Sequence, residues 1–146
     1  MVCLGNICRS PLAEGILKQK CSQKGLDWEV DSAGTGNWNF GSVPDRRAIQ
    51  IAKKNNIDIS GQQARTFNSG DYSNFDLIYA MDLPVCNHLK KWALDKTEED
   101  KIKLIMDEVY PGEVMQIPAP YFDDDGFEKV YAMLDKACDA IIERYS

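Results

Sequence analysis

The stretch Cys3-Leu4-Gly5-Asn6-Ile7-Cys8-Arg9, followed by Ser10-Pro11, sets a thiol and a guanidinium with five residues between them near the start of the chain. A loop of this length that runs into a helix can encircle one tetrahedral dianion. Its backbone N–H groups then point inward, as they do in anion-binding nests and at helix N-termini. Arg9 offers a planar two-pronged donor for two oxygens of the anion. Cys3, at the floor of that ring, has its thiolate stabilised by the same field that binds the substrate. Gly5 permits backbone geometry closed to other residues, and Asn6 tolerates the left-handed region better than most. The chemistry such a ring supports is transfer of a phosphoryl group onto sulfur.

The elements that must hold this loop are legible as alternating strands and helices. Ser10-Pro11 reads as a helix start, the hydroxyl residue as cap and proline in the first turn. Leu12, Ala13, Ile16, Leu17 and Cys21 then recur at helical spacing. Trp28, Val30 and Ser32 alternate with Glu29 and Asp31, which predicts a half-buried strand ending at Ala33-Gly34. Pro44-Asp45 opens a second helix with Ala48, Ile51 and Ala52 on one face. Residues 75–81 form an apolar run broken only by Asp76, the pattern of a strand covered on both sides. A helix is expected over about 84–94, a more exposed edge strand over 102–106, and a solvated loop at the charge cluster 96–100. The last helix carries Phe127, Val130, Leu134, Ala137, Cys138, Ile141 and Tyr145 on one stripe.

This alternation predicts an α/β fold, a three-layer α/β/α arrangement with a central four-stranded parallel sheet. The phosphate loop lies between the first strand and the first helix. Ligands in such sheets bind beyond the strands' carboxyl ends, where the strand order reverses. Cys3, Asp82 and the segment around Pro118 should therefore converge. Only Met1 and Val2 precede Cys3, too few for a central strand, so strand residues upstream are expected to be missing from this sequence.

Totals narrow the classes. With 146 residues, 44% apolar and 27% charged, the chain suits one soluble domain spanning 1–146. A formal net charge of −6 with no basic patch argues against nucleic acid. No apolar run approaches membrane-spanning length and no signal peptide is read, so neither a membrane partner nor export is expected. Five cysteines at irregular spacing suit neither a disulfide framework nor a zinc site and point to a reducing cytoplasm. The lone His88 leaves no histidine cluster for a metal, and no cofactor is expected.

The segment Val2 to Pro11 resembles the phosphate loop of the low-molecular-weight protein tyrosine phosphatases, and the resemblance extends over essentially the whole chain. It implies a phosphotyrosine phosphohydrolase working through a phosphocysteine on Cys3. Arg9 and the loop residues Leu4, Gly5, Asn6, Ile7, Cys8 and Ser10 would bind the phosphoryl group. It further implies that Ser10 donates to the thiolate, that Asn6 braces the loop through neighbours such as Ser32, and that Trp38 and Tyr121 wall an aryl slot. Cys8 has two readings, a redox partner for Cys3 or a small packed residue. Asp45, Arg47 and Arg65 would brace loops. Asp82 would orient a loop partner or cap a strand end. Ile7, apolar and bulky, favours aryl phosphates over phosphoarginine, for which related enzymes carry threonine.

The chain departs from this pattern at one position. Family members read Asp-Pro-Tyr where this sequence reads Ala119-Pro120-Tyr121, and that aspartate is the general acid. A methyl group cannot transfer a proton, and losing a general acid costs about 10² to 10⁴ in rate. Binding should survive. Two accounts of Ala119 compete: a trapping substitution on a working enzyme, or a natural relative that only binds; the other intact motifs favour the first. Asp123, Asp124 and Asp125 are expected to cap the last helix or face solvent rather than substitute for the acid.

Phosphotyrosine proteins or small aryl phosphates are the expected partners, with inorganic phosphate or its oxyanion analogues in the loop. The alternatives are a thioredoxin-coupled arsenate reductase, for which Cys86 lacks a companion cysteine, and a phosphotyrosine-binding module that does not hydrolyse.

Overall fold

The structure, a computed structural model, describes residues 1–146. Four parallel strands pair in the order β2-β1-β3-β4: β1 Val2–Cys3, β2 Ala33–Gly34, β3 Ile78–Ala80 and β4 Ile102–Leu104. The helices are α1 Arg9–Lys24, α2 Arg46–Lys54, α3 Asp71–Asn74, α4 Leu83–Trp92, α5 Lys96–Asp100 and α6 Gly126–Tyr145. This is the expected three-layer α/β/α fold. After β2 the chain crosses β1 to add strands on its other side, so the order reverses between β1 and β3. Cys3 closes β1 and Asp82 follows β3, which sets both at the crevice where such sheets bind ligands.

Strand alternation divides the core in two. Val2, Ile78, Ala80, Ile102 and Leu104 pack with Tyr72, Val85, Cys86 and Leu89 on the face covered by α3 and α4. Cys3, Tyr79 and Met81 turn to the opposite face, against Leu12, Ile16, Leu134, Ala137 and Ile141 of α1 and α6. The nucleophile candidate is thus the end of a core-facing row, and the loop that follows rests on the packed α1–α6 layer. Leu134 is wholly buried in that layer. Its replacement by alanine should cost about 3 kcal/mol of stability, read as a lower denaturant midpoint at unchanged slope.

Several sequence expectations need correction. Residues 28–32 do not register as strand, because β1 offers β2 only the pairs Val2↔Ala33 and Cys3↔Gly34. Strand status requires a hydrogen-bonded neighbour, and 28–31 instead line a cleft of about 400 Å³ with Phe75, Leu77 and Ile141. Met106 lies outside β4, in a 3₁₀ turn over Ile105–Glu108. The edge strand is also less exposed than its alternation suggested, since Ile102 and Leu104 are both buried.

Ser10 does not cap α1. Cys8 is the N-cap, without a side-chain bond, and Ser10 sits inside the first turn. The cluster at 96–100 is a short exposed helix capped by Asp95 through the Glu98 N–H at 2.9 Å, not a loop. By contrast, Asp45 caps α2 as its position suggested, accepting from the Arg47 N–H at 2.8 Å.

Candidate active site

The loop from Cys3 to Arg9 is shaped by what its carbonyls accept. The Cys3 and Leu4 carbonyls take N–H groups of Thr35 and Gly36 at 3.0 and 2.9 Å. The Gly5 carbonyl takes the Asn39 amide at 3.1 Å, and the Ile7 carbonyl takes the Asp45 N–H at 2.7 Å. Carbonyls tied outward in this way leave the loop's N–H groups free to turn toward a shared centre. Asn6 adopts a left-handed φ of 55°. Its N–H then reaches the Cys3 sulfur at 3.2 Å. Gly34 is required beside it, since a Cβ there would lie 2.9 Å from the Leu4 carbonyl oxygen.

The Asn6 side chain fixes the direction of a buried hydrogen-bond chain. Its Oδ1 accepts the Arg65 N–H at 3.0 Å, so its Nδ2 must be the donor to Ser10 Oγ at 2.8 Å and Ser32 Oγ at 3.0 Å. Ser32 passes its own hydrogen to Glu14 Oε1 at 2.7 Å. Ser10 Oγ, having accepted from Asn6, lies 3.0 Å from the Cys3 sulfur and 3.5 Å from the Ala33 carbonyl; against a thiolate, which can only accept, its hydrogen turns to the sulfur. A thiolate at Cys3 would then accept from Ser10 and from the Asn6 N–H. Both Ser10 and Asn6 are buried, so little water competes for these bonds.

Arg9 is aimed by two groups from distant elements. Its Nη1 donates to Asp82 Oδ2 at 2.7 Å and to the Ile117 carbonyl at 2.9 Å. Asp82 also caps α4 through the Val85 N–H at 2.9 Å, so both readings of that residue hold. Arg65 braces, as expected: its guanidinium bonds Asp71 at 2.9 Å and Asp31 at 3.1 Å while its backbone holds Asn6.

The 117–121 segment hangs on β3 through the Ile117 N–H, which donates to the Met81 carbonyl at 2.8 Å. Tyr121 then reaches the loop itself, its hydroxyl 2.9 Å from the Cys8 sulfur. Arg47 stacks over Tyr121 at 5.1 Å and over Phe127 at 4.9 Å, which fixes the ring's outer face. Burial pushes the Cys8 thiol up to about 12, despite the Tyr121 hydrogen bond. Burial and the Cys8 contact likewise raise the Tyr121 phenol above its usual range. Both groups stay neutral at ordinary pH.

Trp38 is 65% exposed and Tyr121 44%, with one face of the Tyr121 ring covered by Arg47. Ala119 is exposed between Ile117 and Tyr121, the two residues of its segment that touch the loop. Asp123, Asp124 and Asp125 are exposed; Asp125 is the N-cap position of α6 but makes no side-chain capping bond. Cys86 is buried on the opposite sheet face from Cys3, which removes it from any disulfide relay with that sulfur.

Sequence reasoning missed Glu14, Asn39 and the Cys8–Tyr121 bond. Glu14 had a faint signal, an acidic residue on the buried face of α1. The other two had none, because each depends on loops that meet only in three dimensions.

A cysteine whose sulfur takes a loop N–H and faces a serine hydroxyl, at the switch point of a parallel sheet, is the arrangement expected of a cysteine-dependent phosphatase. The sequence matches the family profile described as low molecular weight phosphotyrosine protein phosphatase over residues 1–145, and the chain belongs to that family. It is 35% identical over 143 residues to the low molecular weight protein-tyrosine-phosphatase YfkJ of Bacillus subtilis, covering 97% of this chain and 90% of the relative.

Among solved structures, a Drosophila arginine phosphatase superimposes with a TM-score of 0.91 at 34% identity, covering 99% of this chain and 95% of that one. Wzb of Vibrio vulnificus, solved with benzylphosphonate, gives 0.86 at 29% identity, covering 98% and 94%.

Proposed function

We propose that residues 1–146 act as one catalytic unit, a cytoplasmic phosphatase that takes the phosphoryl group of phosphotyrosine onto Cys3 and is deficient in the proton-donating step. The observation that carries this reading is the polarised chain from Asn6 through Ser10 to the Cys3 sulfur. It stabilises negative charge on sulfur both before attack and when the thiolate leaves again. Arg9 and the loop amides would hold the equatorial oxygens as charge shifts onto them. A metal ion or cofactor has no part in this scheme.

Ala119 supplies no proton, so an aryl ester would be held longer than it is turned over. The exposed Trp38 ring and the partly exposed Tyr121 ring suit a phenyl group, and the benzylphosphonate complex of the Vibrio relative supports aryl recognition. Cys8 fits the packed reading: its sulfur is directed at Tyr121, where it holds the slot wall.

Acid quenching during turnover of p-nitrophenyl phosphate should leave a phosphoryl adduct on the peptide containing Cys3. An unmodified Cys3 at steady state, with turnover continuing, overturns the covalent reading. The slot is tested separately by Trp38→Ala, expected to raise KM for aryl phosphates about fivefold with kcat within twofold, since stacking contributes about 1 kcal/mol.

A further inference from the structure

A phenolate whose conjugate acid has a pKa near 10 leaves phosphorus slowly unless something hands it a proton. Among the side chains bonded to the Cys3 loop or its neighbours none is set up to do so near neutral pH, and Asp123, Asp124 and Asp125 are exposed past Tyr121 with no bond to the loop. Ala119 has no proton to give, and the Ser10 hydrogen is committed to the Cys3 sulfur at 3.0 Å. Asp82 is locked between Arg9 at 2.7 Å and the Val85 N–H at 2.9 Å. Burial alone would raise the Asp45 carboxyl, but hydrogen bonds from the Arg47 side chain and backbone bring it below the usual carboxylate range. The Cys8 thiol and Tyr121 phenol are bonded to each other at 2.9 Å, and both are pushed upward, chiefly by burial. The chain's one histidine stacks on Trp92 at 5.0 Å, on the exposed side of α4.

The site thus combines a nucleophile, an oxyanion cup and an aromatic rim with no proton donor for the leaving group. Chemistry that suits this combination is a phosphoryl group whose leaving atom is protonated before it arrives. A phosphorylated imidazole has that property: its distal nitrogen takes a proton from water near neutral pH, and the ring then departs as neutral imidazole. The ring is flat and aromatic, so it can lie against Trp38 and Tyr121 as a phenyl ring would.

We propose that this chain, resting on the phosphatase reading above, dephosphorylates phosphohistidine side chains in preference to phosphotyrosine. In the first step the Cys3 thiolate attacks phosphorus. The S–P bond forms, the P–N bond breaks, and the electron pair returns to the imidazole, which leaves uncharged. In the second step water attacks the phosphocysteine and gives a proton to a phosphoryl oxygen. The P–S bond breaks to release dihydrogen phosphate and the thiolate, which accepts again from Ser10 and the Asn6 N–H. No oxidant, reductant or metal enters either step.

The test is single-turnover formation of phosphocysteine at pH 7 with four probes: phosphoimidazole, a 3-phosphohistidine peptide, phenyl phosphate and p-nitrophenyl phosphate. Spontaneous loss is subtracted using Cys3→Ser. Phosphoimidazole and the phosphohistidine peptide are expected to react about 10²-fold or more faster than phenyl phosphate, because they need no enzyme acid. Ala119→Asp should close most of that gap by accelerating phenyl phosphate while leaving phosphoimidazole and the phosphohistidine peptide unchanged. If p-nitrophenyl phosphate phosphorylates Cys3 while phosphoimidazole is no faster than phenyl phosphate, this inference is overturned and the phosphatase reading stands. If no probe phosphorylates Cys3, both are overturned.

Discussion

Ala119→Asp is expected to raise kcat for phenyl phosphate by about 10² to 10⁴, and for p-nitrophenyl phosphate by less than about tenfold. Position 119 lies between Ile117, whose carbonyl accepts from Arg9 at 2.9 Å, and Tyr121, whose hydroxyl meets Cys8 at 2.9 Å. A carboxyl group there would stand on a segment tied to the loop on both sides. Its contribution depends on how badly the leaving group needs a proton, so phenol gains far more than nitrophenol. The same carboxylate stands near a dianion when ionised and should weaken oxyanion binding severalfold. Measuring kcat across a series of substituted phenyl phosphates checks this. A uniform gain across the series would remove proton donation from this position.

Cys3→Ser should abolish turnover, by about 10⁴ or more, while leaving vanadate or phosphate affinity within a few-fold. The two effects separate because the anion's contacts are held from outside residue 3. The loop carbonyls are tied to Thr35, Gly36, Asn39 and Asp45, and Arg9 is aimed by Asp82 and Ile117. Serine at the floor can still take a hydrogen bond from Ser10 but is a poor nucleophile without a base beside it. Calorimetric titration with phosphate, together with an initial-rate assay, distinguishes a lost nucleophile from a lost cup. Affinity falling in parallel with turnover would mean that the sulfur holds the loop's shape.

Ala119 and Tyr121 show how one segment can carry two separate burdens. Tyr121 is held by Cys8 and by Arg47, with its ring edge on Phe127 at 6.1 Å, so the slot wall is rigid whatever stands at 119. Under the proposed mechanism, recognition of the aryl ring would therefore not depend on the residue at 119.

The amino-acid order alone settled the local matters: the loop that runs from Cys3 into α1, the parallel α/β alternation and the apolar stripe of α6. Each is written in neighbours within a few residues, where backbone geometry and side-chain period act directly. It misplaced Ser10 as a cap and extended β2 back to residue 28, because a helix start and a strand are finally decided by their partners.

Only the tertiary structure brought Arg9 to Asp82 across 73 positions, Arg65 to Asn6 across 59 and Cys8 to Tyr121 across 113. Arg9 meets Asp82 where β1 and β3 end side by side, while Arg65 reaches Asn6 from beside β2, and chain separation on that scale leaves no periodic signal to read. They aim the guanidinium, orient the asparagine amide and anchor the slot wall, which no loop motif could specify by itself.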